Sequence, residues 1–223
     1  MADAELAARA PLTRERVLRA AIVLADEGGI EALTMRRLAE ALGAEAMSLY
    51  YHVSGKDGVL DGMAEMVAQE ISEAAAQIRD QGSWKATARA RILAAREVLL
   101  RHQWAPGVLS SRTQPVPAVL GYHDALVGLM RAGGLSYDLI HHGLHALGSR
   151  AIGFSQELFD PGAGPVQPDQ LSQLAAALPH LAGMLAEVAH DDPESTLGWC
   201  DDQTEFEFGL DLILDGLDRA RVR

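Results

Sequence analysis

Apolar residues recur three and four positions apart along most of this chain, and no strand-length run alternates apolar with polar positions. From Thr13 to Gly29 the stripe is Val17, Leu18, Ala21, Ile22, Leu24 and Ala25, opened by a threonine suited to cap a helix and closed by two glycines. From Thr34 to Val53 two shorter units follow, hinged at Gly43. Leu38 and Leu42 share one face of the first, and Leu49 and Val53 one face of the second. That spacing turns Ala46, Met47, Ser48, Tyr50, Tyr51 and His52 outward, an odd exposure for two tyrosines unless something meets them. Beyond residue 60 the period predicts helices over 57–79, 84–103, 116–132, 137–159, 170–189 and 202–221. Between them lie the breakers Gly82-Ser83, Pro106 to Pro117, Gly133-Gly134, Pro161 to Pro168 and Asp191-Asp192-Pro193. The expectation is an all-α protein with a three-helix helix-turn-helix domain in 1–60 and a larger helical ligand-binding and dimerisation domain in 61–223.

Two short helices hinged at a glycine, with bulky polar side chains on the second, have the layout that sets a helix in the major groove of DNA. Such a pair also occurs in ordinary helical domains. The helix ahead of it, which supplies a third member for a small core, and the turn Ser54 to Gly58 after it favour the DNA reading. Ala46, Met47 and Ser48 would then face base edges and thymine methyls. Tyr50, Tyr51, His52 and Lys56 would meet backbone and nearby bases, and Arg36 a phosphate or base edge near the helix start.

Charge changes this picture in one respect. The net formal charge is -12, with 7 basic and 9 acidic residues in positions 1–60 against 12 and 22 beyond. No bulk basic patch exists, so DNA affinity must come from locally placed cations and a small footprint. A hydrophobic share of 48% is ample for a packed core. The single Cys200 excludes an intramolecular disulfide, and neither an apolar leader nor a spanning apolar run is present, which points to the reducing cytoplasm with no membrane partner. No nucleophile elbow, His-Glu-x-x-His or phosphate-cradling glycine loop occurs; Gly153-Phe154-Ser155-Gln156-Glu157 lacks the second glycine, so the chain is not read as an enzyme.

Residues 12–62 resemble the DNA-binding domain of the tetracycline repressor (TetR) family. The resemblance is carried by Gly29-Ile30-Glu31-Ala32-Leu33-Thr34-Met35-Arg36-Arg37-Leu38-Ala39-Glu40-Ala41-Leu42-Gly43, by Ser48-Leu49-Tyr50-Tyr51-His52-Val53 and by Lys56-Asp57-Gly58-Val59-Leu60-Asp61. It continues more weakly through Gly133-Gly134-Leu135-Ser136, Glu157 and the run from Phe206 to Leu217. It implies an all-α homodimeric regulator, most simply a repressor, that binds double-stranded operator DNA and is released by a small-molecule effector. Ala46 and Met47 stand where the family's namesake has glutamine and proline, so no operator sequence carries over.

For the effector, Met63, Met66 and Val67 on one helix, Leu99, His102 and Trp104 at the end of the next, Leu109 in the proline stretch, and Tyr122, His123, Leu126 and Met130 beyond it could line an apolar cavity with polar punctuation. Each apolar member alone would serve equally as core. In the family's namesake, histidines that hold the drug and its magnesium match Leu109, Ser72 and Ser149 here, and only the acidic partner is kept, as Glu157. The resemblance therefore implies an effector other than tetracycline with magnesium, and no cofactor.

Two helices carry seams stepped by four and three: Ile140, Leu144, Leu147, Ala151, Phe154 and Leu158, then Phe206, Leu210, Ile213, Leu217 and Ala220. Read as a dimer interface, they supply the second half-site reader that one helix-turn-helix lacks; read otherwise, they pack inside one chain. His141 and His145, spaced i,i+4 with His142 beside them, hold two ligand positions without a third, so no metal is assigned. The alternatives are a metal-responsive regulator using these histidines, a helical ligand-binding protein with little DNA affinity, and behind these a helical enzyme.

Overall fold

A computed structural model of the chain describes residues 11–113, 116–153, 176–180, 183 and 202–221. Every regular element among them is helical. The first, α1 (Arg14–Gly28), starts where Oγ1 of Thr13 accepts the backbone N–H of Arg16 at 3.1 Å. A single 3₁₀ turn, Ile30–Ala32, leads to α2 (Met35–Leu42), which Thr34 caps through the N–H of Arg37 at 3.2 Å. Gly43 ends α2 at φ +62°, a conformation a side chain would strain, and so sets the angle at which α3 (Ala46–Leu49) leaves. Then follow α4 (Gly55–Gln77), α5 (Trp84–Arg101), α6 (Ala105–Ser111), α7 (Pro117–Ala132), α8 (Tyr137–Gly153) and α9 (Asp202–Ala220).

Two of these differ from what the periodicity suggests. The stretch from Pro106 was expected as loop, and so was Leu109, but it holds the two-turn helix α6 with Pro106 in its first turn. Proline has no N–H to offer there, and the helix needs none at that position, so the residue that reads as a breaker serves as a start. Helix α4 begins at Gly55 and not near residue 57, because the turn after Val53 runs directly into it.

Helices α1 to α3 close over Val17, Leu18, Ala21, Leu38, Leu42, Leu49 and Val53, all buried. That cluster does not stop at residue 60. It continues through Val59, Met63 and Val67 of α4 to Ala95 and Val98 of α5 and Val108 of α6. Helices α1 and α4 cross closely: a methyl group built on Gly62 would lie 2.6 Å from both Leu18 methyls. Contacts divide the chain into two compact units, one ending at Ile140 and one beginning at His141, within α8. In the second unit α8 approaches α9 closely, where a Cβ on Gly143 would come within 2.9 Å of Leu217 Cδ1. The expected helix over 170–189 and the loop over Pro161 to Pro168 lie outside the described residues, apart from 176–180 and 183.

Candidate DNA interface and ligand cavity

The short helix α3 is held from below by Leu49, fully buried, and Val53, whose N–H bonds Leu49 O at 3.0 Å and carries the turn on. With the inner side occupied, the outer side chains are delivered to solvent together. Tyr51 is 88% exposed and Met47 71%, with Tyr50, Ala46 and Lys56 exposed beside them and Ser48 and His52 half-buried. Exposed aromatic and thioether area of that size on one small face is costly to leave in water without a partner. The hydroxyl of Ser48 donates to Glu45 O at 2.6 Å, which orients its oxygen as an acceptor. Arg36 is exposed on α2 but its Nε donates to Glu40 Oε1 at 2.9 Å, and Arg37 Nη1 donates to Ala32 O at 3.1 Å. Among the described residues Lys56 is therefore the cation of this face with no hydrogen bond or ion pair of its own.

Helix α1 is joined to the following layer by a polar knot that sequence reasoning missed. Oδ1 of Asp26 accepts from Nε1 of Trp104 at 2.7 Å and faces Nδ1 of His102 at 2.8 Å. On its other edge, Nε2 of His102 lies 3.2 Å from Oε2 of Glu70, whose other oxygen pairs with Arg101. Burial works against the Glu70 charge, but the hydrogen bonds from Arg101 and His102 outweigh it and hold this carboxyl below its ordinary range. His102 and Trp104 were expected as cavity walls; both are buried and engaged in this junction. The signal available in advance was an aspartate, Asp26, adjoining the apolar stripe of α1.

The other residues expected at a ligand site are divided. Met63, Val67, Leu126 and Met130 are fully or nearly fully buried. Met66, Leu99, Leu109 and Tyr122 pack half-buried against the main cluster, and His123 is exposed. Tyr122 and Leu126 reach a cavity of about 540 Å³ between α4, α5 and α7, which also takes in Ser72, Ala75 and Arg91. Ser149 lies on α8, and Glu157 is outside the described residues.

Of the stepped seams, Ile140, Phe206, Leu210 and Leu217 are buried within the single chain, and Leu144, Leu147 and Ile213 are half-buried. The buried arc of α9 is rotated from the expected one toward Leu214, 1% exposed, while Phe208 and Leu212 on the opposite side are 61% and 55% exposed. Ala151 is on α8; Phe154 and Leu158 fall outside the described residues. The rings of His141 and His145 are 4.6 Å apart, and among the described residues no group of three His, Cys, Asp or Glu is placed to hold a metal. No helix among them is long and apolar enough to cross a membrane.

Comparison with known proteins matches residues 17–63 to the domain described as bacterial regulatory proteins, tetR family, and residues 78–221 to the tetracyclin repressor-like C-terminal domain. The HTH-type transcriptional repressor DrrR1 of Streptomyces coeruleorubidus is 33% identical over 93% of this chain and 77% of its own length. Among solved structures, a possible TetR family transcriptional regulator from Streptomyces coelicolor aligns with a TM-score of 0.73 and 32% identity, covering 94% of this chain and all of that one (100%). The Streptomyces coelicolor TetR family protein ActR, solved in complex with actinorhodin, aligns with a TM-score of 0.71 and 27% identity over 96% of this chain and 100% of that one.

Proposed function

The chain belongs to the tetR family of bacterial regulatory proteins, non-enzymatic DNA-binding transcription factors, and on that premise we propose that it is a cytoplasmic homodimeric repressor released from its operator by a small molecule. The observation that carries the reading is the exposed face of α3, where Met47, Tyr50 and Tyr51 are held out by a buried Leu49 beside the unpaired Lys56. Residues 1–60 are the reading head. Ala46, Met47 and Ser48 face base edges, and Tyr50, Tyr51, His52, Lys56 and Arg36 face phosphates and flanking bases. Residues 61–223 take the effector and the second copy. Release by an effector is supported by the ligand-bound relative, and by the continuity of the apolar cluster from the reading head into the helices that border the 540 Å³ cavity.

We assign self-association to α8 and α9, with Phe208 and Leu212 as its apolar centre, because two heads must be held about one helical turn of DNA apart, roughly 34–36 Å, to read paired half-sites. The test is a mobility-shift titration of the full-length protein against the DNA upstream of its own coding sequence. Binding to a pseudo-palindrome at roughly 10⁻⁸ M or tighter, weakening steeply with salt, is expected. Equal affinity for that DNA and for random duplex would overturn it.

A further inference from the structure

The cavity between α4, α5 and α7 has an unbalanced floor. Arg91 of α5 lines it, and the Nε of its guanidinium is shut off from solvent with no hydrogen-bond acceptor. A guanidinium lining a mostly apolar cavity stays charged and presents forked N–H donors, a pairing suited to an anionic group. Around it the walls are apolar, from Ala75 and the nearly fully buried Leu126, with the phenol of Tyr122 among them. Burial pushes the Tyr122 phenol well above its ordinary range against the pull of the Arg91 charge, so the phenol remains a protonated donor. The hydroxyl hydrogen of Ser72 is already committed to Ala118 O at 2.9 Å. The carboxylate of the cavity, Glu73, is exposed at the rim and accepts from Gln69 at 3.0 Å, leaving the floor cationic.

We propose that this cavity binds an apolar, ring-containing molecule bearing one acidic group, with the anion seated on Arg91 and the rings against Leu126 and Tyr122. The volume suits a molecule of a few fused or linked rings. Charge-assisted, forked contact to a carboxylate, sulfonate or phenolate would answer the Arg91 charge, which faces a cavity whose one carboxylate sits at the rim. The assignment rests on the reading of the chain as effector-responsive and specifies the chemistry of the effector.

The test uses two probes with one skeleton, 8-anilinonaphthalene-1-sulfonate and N-phenyl-1-naphthylamine, which lacks the sulfonate. Each is titrated by fluorescence into the full-length dimer, wild type, Arg91→Gln and Arg91→Lys, with thermal melts checking that the variants are folded. The wild type should prefer the anion at least tenfold. Arg91→Gln should erase that preference while keeping the neutral probe within about twofold, and Arg91→Lys should retain most of it. Equal affinity of the wild type for both probes, or an anion preference that survives Arg91→Gln, overturns the site. Because the wild-type preference is itself decisive, a variant that fails to fold does not spare the proposal. A mobility shift run in parallel separates the two ideas: an Arg91-dependent anion preference supports the site even if no compound releases DNA, in which case the effector reading alone fails.

Discussion

Asp26 and His102 meet through a 2.8 Å contact between Oδ1 and Nδ1, across 76 residues of chain, and the same aspartate oxygen accepts the indole N–H of Trp104. The first helix is thus tied to the end of α5 by a carboxylate serving two donors. Asp26→Ala would leave both donors partly buried without an acceptor, a loss of about 1–3 kcal/mol. A melting temperature lower by several degrees is expected, since about 1 kcal/mol shifts a chain of this size by about 2–4 °C. An unchanged melt for Asp26→Ala would show the junction to be structurally idle.

The same knot makes an acid-side prediction. The folded pKa of Glu70 is depressed, so its contribution to stability is complete above the ordinary carboxylate value of 4.5 and is lost as pH falls through the lower folded value. Because the side chain is 43% exposed, solvent screening keeps the effect small. Melts taken between pH 7 and pH 3 should fall less steeply at the acid end for Glu70→Gln than for the wild type. Parallel curves would mean that the pairing with Arg101 and His102 does not persist in solution.

On the reading face, Tyr51→Ala and Lys56→Ala remove exposed groups and should leave the melt within about 0.5 kcal/mol of wild type. Both should weaken every operator variant alike, and Lys56→Ala should lower the salt slope by about 1. Ser48→Ala should instead change preference at one base position. Wild-type operator affinity in both Tyr51→Ala and Lys56→Ala would remove α3 from the interface.

For assembly, Phe208→Glu and Leu212→Glu place charges on a face that is exposed in the single chain and should be tolerated by the fold while dissociating the proposed dimer. Leu210→Glu, in the buried arc, should unfold the second unit, because an unpaired buried charge costs several kcal/mol. Light scattering that reports an intact dimer for both surface variants would move the interface elsewhere.

At the crossing of α1 and α4, Gly62→Ala would drive a methyl to 2.6 Å from Leu18 and should destabilise the protein by about 1–3 kcal/mol. Leu18→Ala should cost less in that variant than in the wild type, because the added methyl fills part of the space it vacates, and calorimetry of the pair measures the coupling.

The helix-turn-helix was legible because it is local. Thr34 and Gly43 punctuate α2, and the 3.6 period separates Leu49 and Val53 from Tyr50 and Tyr51 without reference to anything distant. The junction was not, and of the cavity Tyr122 and Leu126 could be named but Arg91 could not, since Asp26, Glu70 and Arg91 look like surface charges until the helices that carry them are packed. Pro106 misled for a different reason: the same residue that stops a helix from within begins one. In α9 the period is correct, but a stripe of apolar residues runs most of the way round, and only packing decides that Leu214 turns in and Phe208 out.

The carboxylate of Asp26 also bears on how such regulators can be recombined. A chimaera that joins residues 1–60 of this chain to another family member's regulatory half would carry the acceptor without its two donors, and the apolar seam through Val59, Met63 and Val67 would meet a foreign surface. The transplantable unit is therefore larger than the DNA-reading segment, and includes a matched His102 and Trp104 on the receiving side. Exchange of specificity in this chain is expected to succeed by replacing the outward residues of α3 in place, and to fail when the cut is made at the apparent boundary.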